Sequence, residues 1–194
     1  MIKYLVFLFI ILTSLGIATH NVMKQSKTIK FVFYDNAIPT LQDSLMHKVS
    51  RFYKVLTYKD VVQKLPKTAY YAPRNRYRAG VLLENLKLKK DTFYKVIGFT
   101  DKDISTTKGA IYDHGIFGMG YCPGESAVVS SYRTGQRLDR LTHILLHEVG
   151  HTYGLPHCST SGCFMEDAKG KMVHPNEKLC INCQIKLKKL YEKF

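Results

Sequence analysis

With 194 residues and 45% hydrophobic side chains, the chain has the length and apolar content for one domain whose core needs no disulfide support. It shows no internal repeat and no low-complexity tract. Lysine and arginine exceed aspartate and glutamate by 29 to 15, a formal charge of +14, which raises nucleic acid, an anionic surface or an acidic substrate as partners. The positive residues, however, run along the whole chain, including KLKK at 87–90 and KLKKLYEK at 186–193, with no nucleic-acid-binding motif among them. The excess therefore reads first as a solvated basic surface and second as a loose attraction to an anionic membrane or envelope. Nucleic-acid binding rests on charge alone and ranks last.

Residues 1–18 combine a basic start at Lys3, an apolar run from Tyr4 to about Leu12, and small residues at Gly16 and Ala18. This reads as an export signal cleaved after Ala18. An uncleaved anchor is the alternative, although the run is short of the roughly 20 apolar residues that span a bilayer. A short linker, 19–27, leads into a single domain over 28–194. TIKFVFYD, 28–35, alternates β-branched and aromatic residues and predicts a first strand. After Pro39, Leu41, Leu45, Val49, Phe52 and Leu56 recur at helical spacing. A second helix is expected over 76–88, and a strand from 93 that runs into a polar turn by 105. A glycine-rich stretch precedes another apolar strand around Ala127–Tyr132. Asp139 reads as the N-cap of a helix carrying Leu141, Ile144, Leu145 and Val149, which ends at Gly154 ahead of Pro156. A last helix runs from about Glu177. The order predicts an α/β fold with a mixed sheet and the chemistry on its loops.

The segment HEVGHTYGLPHC, 147–158, carries that chemistry. On a helix, His147 and His151 lie one turn apart and aim at one point, a spacing that suits zinc. Glu148 projects about 100° round the axis, beside the metal, where a general base for a zinc-bound water belongs. Gly154 can take positive φ and turn the chain so that His157 returns as a third ligand. Three protein ligands leave a fourth position for water, as in catalytic sites. His143 shares the face of His147, but one helix cannot aim three successive turns at a single ion, so it reads as packing. His20, His47, His114 and His174 carry no spacing signal.

Four of the five cysteines follow the pattern C-x4-C then C-x2-C: Cys158, Cys163, Cys180 and Cys183. In an extended loop adjacent side chains face opposite ways, so His157 can serve one ion while Cys158 turns to another. The four thiols suit a closed tetrahedral zinc site pinning the loop to the C-terminal helix. Two disulfides are the alternative in an exported chain. Cys122 reads as free or buried.

HEVGHTYGLPHCSTSGCFM followed by CINC resembles the archaemetzincin family of zinc metallopeptidases, matching H-E-x-x-H-x-x-G, then C-x4-C-x-M, then C-x-x-C. FYKVIGFTDKDIS and AVVSSYR resemble its strand segments more loosely. Fourteen residues separate Met165 from Cys180, fewer than the family pattern has. The resemblance implies a metzincin-like mixed twisted sheet with an active-site helix, and a C-terminal helix tied down by structural zinc. It implies two zinc ions: a catalytic one on His147, His151 and His157 with Glu148 as base, and a structural one on Cys158, Cys163, Cys180 and Cys183. Met165 would be the methionine of the turn beneath the catalytic metal. The expected function is exported hydrolysis of peptide bonds by a monomer acting on a peptide or protein, as endo- or aminopeptidase. The alternative is a zinc-stabilised peptide- or envelope-binding module with little turnover. The strand holding Val128, Val129 and Ser130 is expected at the cleft edge, where it could take an extended substrate.

Overall fold

The structure is a computed structural model that describes residues 27–167 and 178–191. The expected export segment and nearly all of the linker lie outside those residues, as does Glu177.

Strands β1 (Thr28–Phe33), β2 (Leu56–Lys59), β5 (Lys95–Thr100), β8 (Gly118–Gly120) and β9 (Ser126–Ser130) form a five-stranded sheet ordered β2-β1-β5-β9-β8. The first four are mutually parallel, and β8 closes the sheet antiparallel to β9. Parallel strands need cover on both faces, and here the sequence supplies it residue by residue. Phe31, Phe33, Ile97, Phe99, Ala127 and Val129 point to one face. There they meet Leu45 and Val49 of α1 (Gln42–Tyr53) and Leu141, Leu145 and Val149 of α3 (Leu138–Thr152). Val32, Tyr34, Val96 and Val128 point to the other, against Leu82, Leu83 and Leu86 of α2 (Ala79–Lys87). The helix α4 (Ile181–Tyr191) joins the first of these layers through Cys183 and Leu187.

A second sheet, β3-β4-β6-β7, is built from β3 (Tyr70–Tyr71), β4 (Arg76–Arg78), β6 (Ile104–Lys108) and β7 (Ile111–Ile116). It departs from the sequence expectation. The stretch 76–88 begins as β4 because the Tyr77 amide donates to the Asp103 carbonyl and Arg76 pairs with the Asp103 carboxylate, so only the remainder becomes helix. These are tertiary contacts that no local periodicity carries. The strand begun near 93 is β5, and beyond its polar turn the chain re-enters as β6.

Two further corrections bear on the site. Helix α3 starts at Leu138, so Arg137 occupies the cap position and Asp139 sits in the first turn, paired with Arg137 at 2.7 Å. The strand of Val128, Val129 and Ser130 is not at the edge. β9 is paired on both sides, all three residues are fully buried, and its hydrogen-bonding groups are spent on β5 and β8. The terminal strand on that side is β8.

Candidate metal centres

Helix α3 turns two stripes in two directions. Leu141, Leu145 and Val149, spaced by four, enter the core, while His143, His147 and His151 make a second row. Only the last two of that row join a cluster. The His147 and His151 ring centroids lie 4.6 Å apart, and His157 lies 5.3 and 4.8 Å from them. His143 stands 6.4 Å from His147, on the side away from the cluster, as one helix requires.

His157 reaches the cluster because α3 ends in a Schellman motif. Gly154 sits at φ +94°, its amide donates to the His151 carbonyl, and the Leu155 amide donates to the Gly150 carbonyl. The same Leu155 then accepts, through its carbonyl, a 2.7 Å hydrogen bond from His151 Nδ1. His147 Nδ1 makes a bond of equal length to the Phe164 carbonyl. A ring nitrogen facing a carbonyl must carry the proton, so Nε2 of both rings is left as a lone-pair donor. Burial holds the His147 imidazolium far below its ordinary range, at about 3, and lowers His151 as well. Neutral, oriented imidazoles whose donor atoms lie within 4.8 Å of one another fit a zinc ion.

Glu148 points from the same helix turn toward β8. A Cβ on Gly118 would come within 2.7 Å of the Glu148 Cγ, so that strand can lie against the carboxylate only with glycine there. Burial pushes the Glu148 carboxyl up to about 8, partly offset by the Gly120 amide donating to it. The glycine-rich stretch was visible in the sequence, but not that its GMG lies against the acid.

The four cysteine sulfurs also lie within 4.8 Å of one another as a single group, with no sulfur–sulfur bond between them. A tetrahedral zinc–thiolate site has sulfur–sulfur edges of about 3.8 Å, and Cys158 and Cys180 stand 3.7 Å apart. The backbone amide of Cys183 helps bring the Cys180 thiol down to about 6, while burial and the neighbouring sulfurs push Cys183 up. Thiolates crowded this closely fit a dication at their centre. Cys122 is exposed and apart from the cluster, donating to the Leu155 carbonyl at 3.4 Å.

Met165 is fully buried, with its sulfur against Gly150, and its carbonyl accepts the Cys158 amide at 2.7 Å. The loop therefore touches both clusters twice. His157 adjoins Cys158, and Phe164, between Cys163 and Met165, supplies the carbonyl that orients His147. The second link had no signal in the sequence, because a backbone carbonyl is the same at every residue.

A parallel sheet ended by one antiparallel strand, with a helix bringing two imidazoles and a carboxylate against that strand, defines a zinc metallopeptidase. The family model of peptidase family M54 matches residues 26–189. An archaemetzincin of Methanopyrus kandleri is 35% identical over 142 residues, covering 69% of this chain and 79% of the relative. The crystal structure of an M. kandleri archaemetzincin superposes with a TM-score of 0.73 at 30% identity, covering 87% of this chain and 97% of that one. A zinc-dependent peptidase from Methanocorpusculum labreanum shares the fold, with a TM-score of 0.68 at 21% identity over 81% of this chain and 99% of that one. The chain belongs to peptidase family M54, the archaemetzincins. Its substrates are accordingly peptides or proteins.

Proposed function

We propose that His147, His151 and His157 hold the catalytic zinc, that Glu148 is the general base, and that Cys158, Cys163, Cys180 and Cys183 hold a second, structural zinc. The observation that carries this reading is the pair of Nδ1–carbonyl bonds, which aims two imidazoles at His157 beside a buried carboxylate. Zinc, when bound, brings the pKa of a water toward ~7, polarises the substrate carbonyl and draws the Glu148 carboxyl below its metal-free value. Glu148 takes the proton of the attacking water on its carboxylate and passes it to the leaving amine. The Gly120 amide fixes the carboxylate while it does so. The free edge of β8, rather than β9, receives an extended peptide by strand addition. Met165 supports the histidine cluster from below.

Zinc stoichiometry and peptide-library cleavage, on wild-type, Glu148→Ala and Cys158→Ser proteins, test this. Two zinc ions per chain are expected, with hydrolysis lost in Glu148→Ala while the metal stays. One zinc with oxidised cysteines sinks the second site, and peptide binding without cleavage favours a binding module.

We also read the chain as exported and monomeric, held at most loosely at an anionic envelope. The basic start and apolar run of 1–18 support export, and the net charge of +14 supports the envelope contact. A recovered chain beginning at Thr19 in the exported fraction fits this. A full-length chain in the cytosol overturns it.

A further inference from the structure

Close to the start of β8 lies a cavity of about 290 Å³ lined by Arg74, Arg76, Arg133, Asp113, His114 and Gly115. Its charges do not balance. Arg76 gives Nε to Asp103 at 2.7 Å and Nη1 to Asp113 at 3.2 Å, and Arg133 binds Asp103 in a fork at 2.7 and 2.8 Å. Arg74 adds one 3.2 Å contact to Asp113. Three guanidinium groups thus share two carboxylates. Among the described residues, Arg133 Nη1, Arg76 Nη2 and the Nη groups of Arg74 have no partner. Asp103 needs two arginines at most to satisfy its oxygens. The third, Arg74, touches only Asp113, which Arg76 already pairs, and leaves the cluster one positive charge in excess. Gly115 is part of the same construction: a Cβ there would stand 2.0 Å from Arg133 Nη2, so the bare strand leaves room for the guanidinium.

Position gives the charge its meaning. Gly115 precedes Gly118, the residue against Glu148, by three positions across a bend at Phe117, so the two lie within the roughly 10 Å that three extended residues would cover. The chain runs from the cavity toward the carboxylate. A peptide added to β8 in the slightly more stable antiparallel sense therefore runs the other way, its C-terminal part toward the arginines.

We propose that the arginine cavity binds a carboxylate of the substrate about three residues to the C-terminal side of the cleaved bond, making acidic peptides or a nearby free C-terminus the selected class. This rests on the peptidase reading and on substrate addition at β8. A guanidinium fork is the group that matches a carboxylate, and the cationic surface of the molecule draws acidic peptides toward it.

The test uses fluorescein-labelled peptides in matched pairs, Glu against Gln three positions after the cleaved bond, and a C-terminal acid against its amide at the same place. Cleavage is read as kcat/KM on the zinc-loaded full chain, and binding as anisotropy on the Glu148→Ala protein. Arg74→Gln is the variant, because its side chain is 63% exposed and its removal spares the Asp103 network. Lys189→Gln, on α4, controls for the loss of one charge anywhere. A preference of about tenfold for the carboxylate partner, mostly in KM, is expected, falling below about twofold in Arg74→Gln and unchanged in Lys189→Gln. Which pair shows it tells a side-chain carboxylate from a terminal one. Equal treatment of both members of each pair by the wild type, or a full preference kept by Arg74→Gln, overturns the proposal. Selective binding without cleavage retains the cavity and sinks the peptidase reading, whereas cleavage without selectivity does the reverse. Neither binding nor cleavage overturns both.

Discussion

Cys158→Ser replaces one sulfur of the four-thiol cluster, yet the damage is expected to reach the histidine site next door. His147 is oriented by the Phe164 carbonyl and His151 by the Leu155 carbonyl, each at 2.7 Å. The exposed His157 has no such bond among the described residues, so its position depends on its backbone. On one side that backbone leaves the Schellman turn, and on the other it is held by the Cys158 amide to the Met165 carbonyl and by the cysteine cluster. A structural zinc contributes about 10–16 kcal/mol to folding of its site, so weakening one of four ligands removes on the order of 3 kcal/mol. Loss of an orienting partner lowers metal affinity by about 10–100-fold. The expected variant therefore holds zinc at the cysteine cluster about 100-fold more weakly, unfolds at lower temperature, and surrenders zinc at the histidine cluster to a chelator at about 10–100-fold lower concentration. Chelator titration with metal analysis, alongside thermal unfolding, measures all three. A variant that loses the structural metal but keeps wild-type affinity at the histidines would refute the coupling.

Gly118→Ala sets a methyl group 2.7 Å from the Glu148 Cγ and displaces the carboxylate. A shift near 1 Å costs about 100-fold in kcat, with zinc content unchanged, and normal kcat would show that the carboxylate has room to spare. Lys95, whose Nζ donates to the Gly124 and Thr152 carbonyls, is brought down by burial from 10.5 to about 8. Between those values the unfolded chain holds a proton that the folded chain lacks. Stability thus falls as pH drops from about 10.5 to 8, by at most about 3 kcal/mol, and is level below. Denaturant unfolding of wild type against Lys95→Met isolates this slope from the opposing, buried tyrosines. A pH-independent difference would mean that the two carbonyls, with the Tyr94 and Tyr153 rings, keep the ammonium charged. Tyr53→Phe removes a buried 2.6 Å bond to the Leu146 carbonyl on α3 and should cost about 1 kcal/mol in thermal unfolding. No measurable change would place that bond's value in the ring packing.

The helix of His147 and His151, the return of His157 and the two close cysteine pairs, Cys158 with Cys163 and Cys180 with Cys183, were legible in the sequence because each is a short-range matter. Helical spacing fixes the first, one glycine at positive φ the second, and ligand intervals the third. The parallel strands were legible too, since burial on both faces leaves near-continuous apolar runs. The second sheet was not, because its short strands are held by Arg76, Arg133 and the Asp103 region across 27 to 30 residues of chain. Nor was the edge of the cleft. Val128 and Val129 look like any apolar strand, and whether a strand is central or terminal depends on its neighbours on both sides. Tertiary structure alone decided that β8 lies against Glu148, that the Phe164 carbonyl orients His147, and that three arginines meet where two carboxylates stand. Each depends on groups far apart in the chain, or on backbone atoms identical at every residue, and neither leaves a local pattern to read.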